Sequence, residues 1–380
     1  MTNKPLKIVF LLSRIETTGV TTHTIDLAKG LTDLGHRILL ITGGISREKN
    51  ARVELFYQQF KEMGVTVKEF KTPEGGLLSK GVQTIGSVFN MLKWIRKYNP
   101  HVIHAQSPYM TFVPWLLGKK FTTTIHQMGL KPNLKFKTPT HVIAISEESK
   151  RDSILNYGIT EDQVSIIHHG VNKRYATAIT IDEKLALKKS LGIPENKIVV
   201  GAVSSLSLRK GTDIMVKALE ELSKDIKQKL YFVFVGGELN SKEYNWLSGM
   251  ISDAKIASFT KQIAFRDPKP FYDIFDIFVL PSRMESFPLV TLEAMMSGCC
   301  PIRSNTEGAY EQINDGVDGL LFTTEKHEEL SACLTQLVNN KDKMQLLAKN
   351  AKEKALATFT IPVMTQETLK IYEKIKIHNA

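Results

Sequence analysis

Residues 276–293 read DIFVLPSRMESFPLVTLE. The first part, DIFVLPS, is a short apolar run rich in aromatic and β-branched residues, which is typical of a buried strand. Pro288 suits the first turn of a helix, so a helix is expected to begin near Phe287–Pro288 and to stop at Gly298. A strand that leads directly into a helix is the building unit of α/β proteins.

The same unit recurs on both sides of this stretch. Other runs that predict strands are KIVFLL (7–12), RILLIT (37–42), VTVKEF (65–70), HVIHAQ (101–106), FTTTIH (121–126), HVIAIS (141–146), VSIIHH (164–169), KIVVGAVSS (197–205), KLYFVFVGG (229–237), KQIAF (261–265), CCPIRS (299–304) and GLLF (319–322). Helical patterns separate most of them, which indicates parallel, doubly wound sheets. A polar stretch after Gly170 divides the series into two. We therefore predict an α/β protein with two Rossmann-like domains, residues 1–172 and 191–360, a hinge at 173–190, and a ligand cleft between the facing strand ends.

Two carboxylates, Glu285 and Glu293, flank the start of the predicted helix. The backbone amides of residues near Phe287, Leu289 and Val290, together with the positive end of the helix dipole, form an anion site that suits a phosphate. A carboxylate on either side can accept hydrogen bonds from the hydroxyls of a sugar and of a ribose. The pattern predicts a ligand made of sugar, diphosphate and nucleoside. The alternative is structural, with Glu285 capping the helix and Glu293 paired with a lysine.

The segment SRMESFPLVTLEAMMSGCCPIRSNTEGAYEQINDGVDGLLF (282–322) resembles the donor-site segment of the retaining glycosyltransferases of family 4. Further similar segments occur in the family's order: HVIHAQSP (101–108), TTTIHQMG (122–129), VSIIHHGVN (164–172) and SSLSLRKGTDIMVKAL (204–219). The resemblance implies the GT-B fold, with the acceptor on the first domain and a nucleotide-sugar on the second. It also implies that the final helix, within 361–380, crosses back to the first domain.

The resemblance implies a role for each matching residue. Lys210 would face the donor diphosphate, Glu285 would hold hydroxyls of the transferred sugar, and Glu293 would hold the ribose. His126 would contact the sugar near its reacting carbon, which makes His126, Glu285 and Lys210 the catalytic candidates. The remaining donor-binding candidates are Gly19, Arg209, Gly236, Arg266, Ser286, Phe287, Pro288, Leu289 and Val290.

The sequence departs from the family pattern at several positions. Ser205 stands where the family has an arginine of the diphosphate site, and Arg209 or Arg14 is expected to compensate. His169 and Asn172 replace the usual Asn and Asp. These departures concern the identity of the donor more than the fold.

No Asp-x-Asp element is present to hold a divalent ion, so we expect metal-independent transfer without a cofactor, from a UDP- or GDP-sugar to a hydroxyl of a glycan or lipid-linked acceptor of the cell envelope. Two alternatives stay open. A sugar-nucleotide 2-epimerase of the GT-B fold would share the ligand but need no acceptor. A non-catalytic nucleotide-sugar-binding partner subunit is suggested by Ser205.

The net charge of +11 is confined to the first half of the chain. Residues 1–175 contain 24 Lys and Arg against 13 Asp and Glu, whereas residues 176–380 contain 26 of each. No zinc-finger or RNP-type motif accompanies the excess, which argues against nucleic acid. An anionic membrane face is an alternative partner, because basic helices are predicted at 46–64, with Val53, Phe56 and Phe60 on one side, and at 86–100, around Trp94. Each of these helices could instead pack on its own sheet.

The sequence also bears on the location of the protein. No stretch approaches the roughly 20 apolar residues that span a bilayer, and the apolar run near the first residue is too short for a signal-peptide core. The three cysteines, two of them adjacent, do not suggest a disulfide framework. We therefore expect a cytoplasmic protein, either dissolved or bound peripherally to the inner face of the membrane.

Overall fold

The computed structural model describes residues 4–46, 51–130 and 136–376. The chain divides into two compact units, one of residues 1–170 and 361–380 and the other of residues 171–360. Within the described residues, each unit contains one parallel sheet with helices between its strands. The prediction of two Rossmann-like, doubly wound α/β units is therefore confirmed.

The first unit is built on a seven-stranded sheet with the strand order β3-β2-β1-β4-β5-β6-β7. Its strands are β1 (Lys7–Leu12), β2 (Arg37–Thr42), β3 (Thr66–Glu69), β4 (Val102–Ala105), β5 (Thr122–Ile125), β6 (His141–Ala144) and β7 (Val164–Ile166). Its helices are α1 (Gly19–Asp33), α2 (Ala51–Glu62), α3 (Leu77–Tyr98), α4 (Phe112–Leu116), α5 (Glu147–Tyr157) and, from the end of the chain, α15 (Ile361–Ile375). The central strands β1 and β4 are buried over almost their whole length because helices cover both of their faces.

The second unit has a six-stranded sheet with the order β10-β9-β8-β11-β12-β13. Its strands are β8 (Ile198–Val203), β9 (Leu230–Val235), β10 (Thr260–Ile263), β11 (Ile277–Leu280), β12 (Cys300–Ser304) and β13 (Leu320–Phe322). Its helices are α6 (Ile181–Ser190), α7 (Thr212–Glu221), α8 (Lys224–Lys229), α9 (Lys242–Asp253), α10 (Lys269–Ile274), α11 (Leu289–Ser297), α12 (Ala309–Gln312), α13 (His327–Asn339) and α14 (Lys341–Thr358). Every strand expected from the apolar runs is present in one of the two sheets.

The segment 173–190, expected to be a hinge, has regular structure. It contains a short 3₁₀ turn at Lys173–Ala176 and helix α6, and it belongs to the second unit. Helix α6 begins with a capping box in which the Thr180 side chain accepts a hydrogen bond from the backbone N–H of Glu183. Helix α6 is mostly exposed, which accounts for the polar composition of this segment, and the hinge at 173–190 stays a prediction.

The two basic helices differ in how they pack. In α2, Val53, Phe56 and Phe60 are buried in the core of the first unit, so its apolar side is not available to a membrane. Residues 47–50 of the predicted segment lie outside the described residues. In α3, Trp94 is half-buried against the core beside Met91 and Ile95. For α2, and for Trp94 in α3, the structure supports the packing alternative.

No helix in the described part of the chain is both long and apolar enough to cross a membrane.

Candidate active site

The second unit has its topological switch point between β8 and β11. Strand β8 pairs with β9 on one side and with β11 on the other, so the loops after β8 and β11 leave the same edge of the sheet. Ligands of open parallel sheets bind at such a point. Lys210 lies in the first of these loops and Glu285 in the second, so the sheet brings together two residues that are distant in sequence.

Lys210 and Glu285 form an ion pair at this edge. The Lys210 ammonium donates to Oε1 of Glu285, and the Ser282 hydroxyl donates to the same oxygen at 2.7 Å. Both charged side chains are largely shielded, with 15% and 8% of their surfaces exposed. Glu285 therefore does not cap the helix. Because the lysine is held by a carboxylate, it is fixed in position before any anion arrives.

Arg283 is a further charged residue of the loop after β11, and sequence reasoning did not identify it. Its guanidinium donates to both carboxylate oxygens of Asp213, at 2.7 and 2.8 Å, and to both of Glu325, at 2.5 and 2.9 Å. It also donates to the backbone carbonyl of Leu208 at 2.5 Å. Burial opposes ionisation of Asp213, but the Arg283 guanidinium holds the pKa of that carboxyl below its usual value. Arg283 therefore ties the β8 and β11 loops to each other.

Helix α11 begins at Leu289, one position later than the expected start. Pro288 is the N-cap, with an extended ψ of 124°, and no side chain caps the helix. Leu289 and Val290 are half-buried, whereas Phe287 is buried against Phe359. The helix ends at Gly298 in a left-handed conformation, as predicted. An uncapped start at the carboxyl edge of a sheet has the arrangement of an anion site.

The turn before α11 is held by helix α12. Gly308 lies so close that a Cβ atom there would be 2.2 Å from the carbonyl oxygen of Ser286. The Gln312 side chain donates to the carbonyl of Pro288 at 3.1 Å, and Gln312 is in turn bound by the buried Arg303. The position of the helix start is therefore fixed by contacts made after β12.

Glu293 is almost fully buried on α11. Its Oε2 accepts a hydrogen bond from the Tyr272 hydroxyl at 3.0 Å. Burial, together with the Glu293 charge, raises the pKa of Tyr272 well above its usual value, so the phenol remains a donor. One carboxylate oxygen is thus oriented by Tyr272.

The other candidates of the second unit lie at the same sheet edge. A Cβ atom at Gly236 would be 1.8 Å from the carbonyl oxygen of Ser204, so this glycine allows two loops to touch. The Arg209 guanidinium reaches the β11 loop, where it donates to the carbonyl of Met284 at 3.4 Å. Arg266 is exposed after β10, with its guanidinium over the Phe271 ring at 5.0 Å.

In the first unit, His126 belongs to a cluster of three histidines. Its ring is stacked on His169 at 5.5 Å and lies edge-on to His23 at 4.8 Å. The Nδ1 atoms of His23 and His169 are 2.9 Å apart, so one ring donates to the other. Within the described residues, the buried Nε2 atoms of His23 and His126 have no hydrogen-bond partner. Gly19, the first residue of α1, is exposed one helical turn before His23.

Burial lowers the pKa of all three histidines well below 6.5, and the neighbouring imidazoles lower it further. The rings are therefore neutral at pH 7. His104, on β4, is buried beside the cluster and has a pKa of about 3, also because of burial. Neutral rings with buried nitrogens can exchange hydrogen bonds with hydroxyls.

A sequence signal for this cluster existed. His126 and His169 each follow a strand, and the carboxyl ends of parallel strands meet at one edge of a sheet. His23 lies four residues after Gly19, hence on the same side of α1. No comparable signal indicated Arg283, whose partners Asp213 and Glu325 are 70 and 42 residues away.

Two family models match the chain. The model described as "Glycosyl transferases group 1" matches residues 183–354, and the model described as "Glycosyltransferase Family 4" matches residues 17–175. One match therefore covers most of the second unit, and the other covers most of the first.

Individual proteins are similar to the chain over a large part of its length. An uncharacterised glycosyltransferase of Methanocaldococcus jannaschii is 26% identical over 77% of this chain and 72% of its own length. The N,N'-diacetylbacillosaminyl-diphospho-undecaprenol alpha-1,3-N-acetylgalactosaminyltransferase of Campylobacter jejuni is 30% identical over 64% of this chain and 62% of its own. The crystal structure of Anabaena HepE, solved with UDP and glucose, has a TM-score of 0.81 and 21% identity, and the match covers 97% of this chain and 100% of that one. The chain thus belongs to the family-4 type of glycosyltransferases and has the GT-B fold.

Proposed function

We propose that this glycosyltransferase moves a sugar from a nucleoside-diphosphate sugar, a UDP- or GDP-sugar, to a hydroxyl of an acceptor and retains the anomeric configuration. The observation that carries the proposal is the shielded Lys210–Glu285 pair at the switch point of the second unit. A fixed cation beside an uncapped helix start suits a diphosphate, and the carboxylate beside it suits sugar hydroxyls. The Anabaena protein solved with UDP-glucose supports a nucleotide-sugar as the donor.

The chemistry requires stabilisation of the departing diphosphate while the anomeric carbon gains positive character. The Lys210 ammonium and the amides of Leu289 and Val290 would supply that stabilisation, since they are fixed before the reaction. Glu285 would position the transferred sugar through its hydroxyls, and Glu293, oriented by Tyr272, would accept hydrogen bonds from the ribose. Arg209 would replace the family arginine that is absent at Ser205, because its guanidinium reaches the β11 loop.

Retention would follow if the acceptor hydroxyl attacks the same face from which the diphosphate departs. In the first unit, His126 would contact the transferred sugar, and Gly19 would let the start of α1 approach the donor. With cationic side chains and helix amides facing the diphosphate, we propose that transfer needs no metal ion.

The acceptor is proposed to be a lipid-linked glycan of the cell envelope, which receives the sugar at the cytoplasmic face of the membrane. The excess of basic residues in the first half supports an anionic surface nearby. The Campylobacter relative, whose name specifies an undecaprenol-linked acceptor, supports the same class.

A panel of UDP- and GDP-sugars, screened by the shift they cause in the thermal unfolding midpoint, tests the donor. Release of nucleoside diphosphate with acceptor present then tests transfer. The Glu285→Ala/Glu293→Ala double variant is expected to lose turnover, while Glu328→Ala/Glu329→Ala, on the exposed start of α13, serves as the matched control. Turnover untouched in the double variant would refute the site.

The same assay separates the two alternatives. Conversion of the donor sugar without an acceptor would indicate the epimerase, and donor binding without turnover on any acceptor would indicate the binding subunit.

A further inference from the structure

The first half of α3 exposes a row of large apolar side chains. Leu78, Val82, Ile85 and Phe89 are 89%, 73%, 71% and 63% exposed, and Leu77 at the helix start is 92% exposed. Because their spacings are four, three and four residues, the last four lie along one side of the helix. Contiguous exposed apolar surface of this kind is characteristic of an interaction site.

The polar side of the same half-helix is already engaged within the protein. The Gln83 side chain accepts from the backbone N–H of Glu74 at 3.1 Å and donates to the carbonyl of Glu74 at 3.0 Å. The Ser87 hydroxyl donates to the carbonyl of Lys71 at 2.6 Å. These bonds hold the helix by its polar side, so the apolar row points away from the segment that precedes the helix.

The segment of sequence that contains this row carries charge of one sign. Residues 75–146 contain nine Lys and Arg and no Asp or Glu, so most of the charge excess of the first half comes from this segment. Lys93 and Arg96 are exposed and continue the row toward the end of α3. Arg96 and Lys119 line one small pocket, which places the basic residues that follow α4 beside the end of α3.

Helix α4 adds aromatic surface in the same segment. Trp115 and Leu116 are about half exposed, and the Lys137 ammonium lies 4.5 Å from the centre of the Trp115 ring. An amphipathic aromatic ring beside a lysine is suited to the boundary between lipid headgroups and acyl chains.

We propose that the outer side of α3, from Leu77 to Phe89 with Lys93 and Arg96, docks onto an anionic lipid surface. The apolar row would enter the headgroup boundary, and the basic residues would meet lipid phosphates. Charge selects this occupant. A second copy of the chain would bring two acid-free basic segments together, and nucleic acid would gain little from exposed Leu, Val and Ile side chains. This surface is distinct from the buried apolar side of α2.

The docking surface follows from α3 itself. Its use, to bring the enzyme to a lipid-linked acceptor, rests on the proposed function.

The test is flotation of the full-length protein with vesicles of phosphatidylcholine alone or mixed with phosphatidylglycerol. The wild-type chain is expected to float with the anionic vesicles. The Val82→Glu/Ile85→Glu variant keeps good helix formers at both positions and is expected to bind at least about 10-fold more weakly. The control is Leu155→Glu, which replaces an 83% exposed residue of α5 in the same unit, and it is expected to float like the wild type.

A second variant separates charge from apolar contact. Lys93→Gln/Arg96→Gln keeps the apolar row and is expected to lose the preference for anionic vesicles. Far-UV circular dichroism and the thermal unfolding midpoint establish that each variant is folded.

Other outcomes would overturn the proposal. If the wild-type protein does not float, or if the Val82→Glu/Ile85→Glu variant floats as much as the wild type, docking of α3 onto a lipid surface is refuted. A dimer in sedimentation velocity that this variant dissociates would assign the row to a second copy. Binding to RNA that the variant abolishes would assign it to nucleic acid.

Donor binding, measured by thermal shift without vesicles, is expected to be the same in the wild type and the α3 variants. A protein that floats as expected but binds no nucleotide-sugar would contradict the proposed function alone. A protein that binds its donor but does not float would contradict only the docking surface.

Discussion

At the scale of single residues, the Lys210–Glu285 pair has two consequences that can be separated. Lys210→Ala should lower turnover by about 100- to 1000-fold, since it removes one fixed group that stabilises the departing diphosphate. The same change should lower the unfolding midpoint, because a shielded carboxylate is left with only the Ser282 hydroxyl. Steady-state kinetics and thermal unfolding measure the two effects.

The Lys210→Ala/Glu285→Gln double variant is the control. It should regain stability without regaining activity, because no unpaired charge remains. Recovery of activity in the double variant would contradict the assigned role of Lys210.

Arg209 is predicted to compensate for Ser205. Arg209→Ala should weaken donor binding with little effect on the unfolding midpoint, because the side chain is exposed and makes one long hydrogen bond to Met284. The loss should be about 10-fold or more, the usual contribution of a charged hydrogen bond. Isothermal titration with the donor and with its nucleoside diphosphate measures it. If Arg209→Ala leaves the donor affinity unchanged and Arg14→Ala lowers it, Arg14 and not Arg209 compensates for Ser205.

The histidine cluster predicts acid sensitivity. The unfolded histidines bind protons near pH 6.5, whereas His23, His126 and His169 do so only at lower pH, mainly because of burial. The unfolded state therefore binds more protons as the pH falls below about 6.5, and the stability of the chain decreases in that range, by up to about 1.4 kcal/mol per pH unit for each group.

Chemical denaturation between about pH 7.5 and about pH 5.5 measures this dependence. His169→Asn, which introduces the residue usual in the family, should reduce the slope of the unfolding free energy against pH. If the variant has the same slope as the wild type, the histidine cluster is not the source of the pH dependence.

At the scale of elements, the contact between two loops makes Gly211 the most demanding glycine of the second unit. It has a φ of +68°, and a Cβ atom would lie 1.8 Å from the carbonyl oxygen of Pro281, just before the loop that carries Glu285. Gly192 has a similar φ of +69° but nothing closer than 4.0 Å. The two positions share the backbone strain and differ in the clash.

Gly211→Ala should therefore destabilise the protein by more than Gly192→Ala, for which strain alone costs about 1–3 kcal/mol. It should also weaken donor binding, since the β8 and β11 loops are pushed apart. Urea denaturation compares the two variants. If both variants lose the same unfolding free energy, the loop that contains Pro281 moves away from the new Cβ atom without an energetic cost.

At the scale of the whole molecule, the two units differ in how the chain builds them. The second unit is one continuous segment, 171–360, whereas the first needs the final helix α15. In α15, Met364, Ile371 and Tyr372 are buried in the core of the first unit, and the Tyr372 hydroxyl bonds with Nδ1 of His104 at 2.8 Å. Gly30 on α1 lies directly against Thr365.

Residues 171–360 alone are therefore expected to unfold cooperatively and to bind the donor. Residues 1–170 alone should lose cooperative unfolding, because removing α15 exposes apolar core surface. A chain that joins 361–376 to residue 170 through a flexible linker is the control and should restore it. Calorimetry measures the thermal unfolding transition of each of the three chains. A cooperative transition in residues 1–170 alone would contradict the requirement for α15.

The amino-acid sequence by itself determined the alternation of strands and helices, the division into two sheets and the end of α11 at Gly298. Each of these depends on local signals, namely apolar runs of strand length and a glycine that can adopt positive φ. Tertiary structure alone decided the partners of the charged and aromatic site residues. Lys210 meets Glu285 across 75 residues and His23 meets His169 across 146, because the order of strands in each sheet, which no local pattern encodes, determines which loops become neighbours.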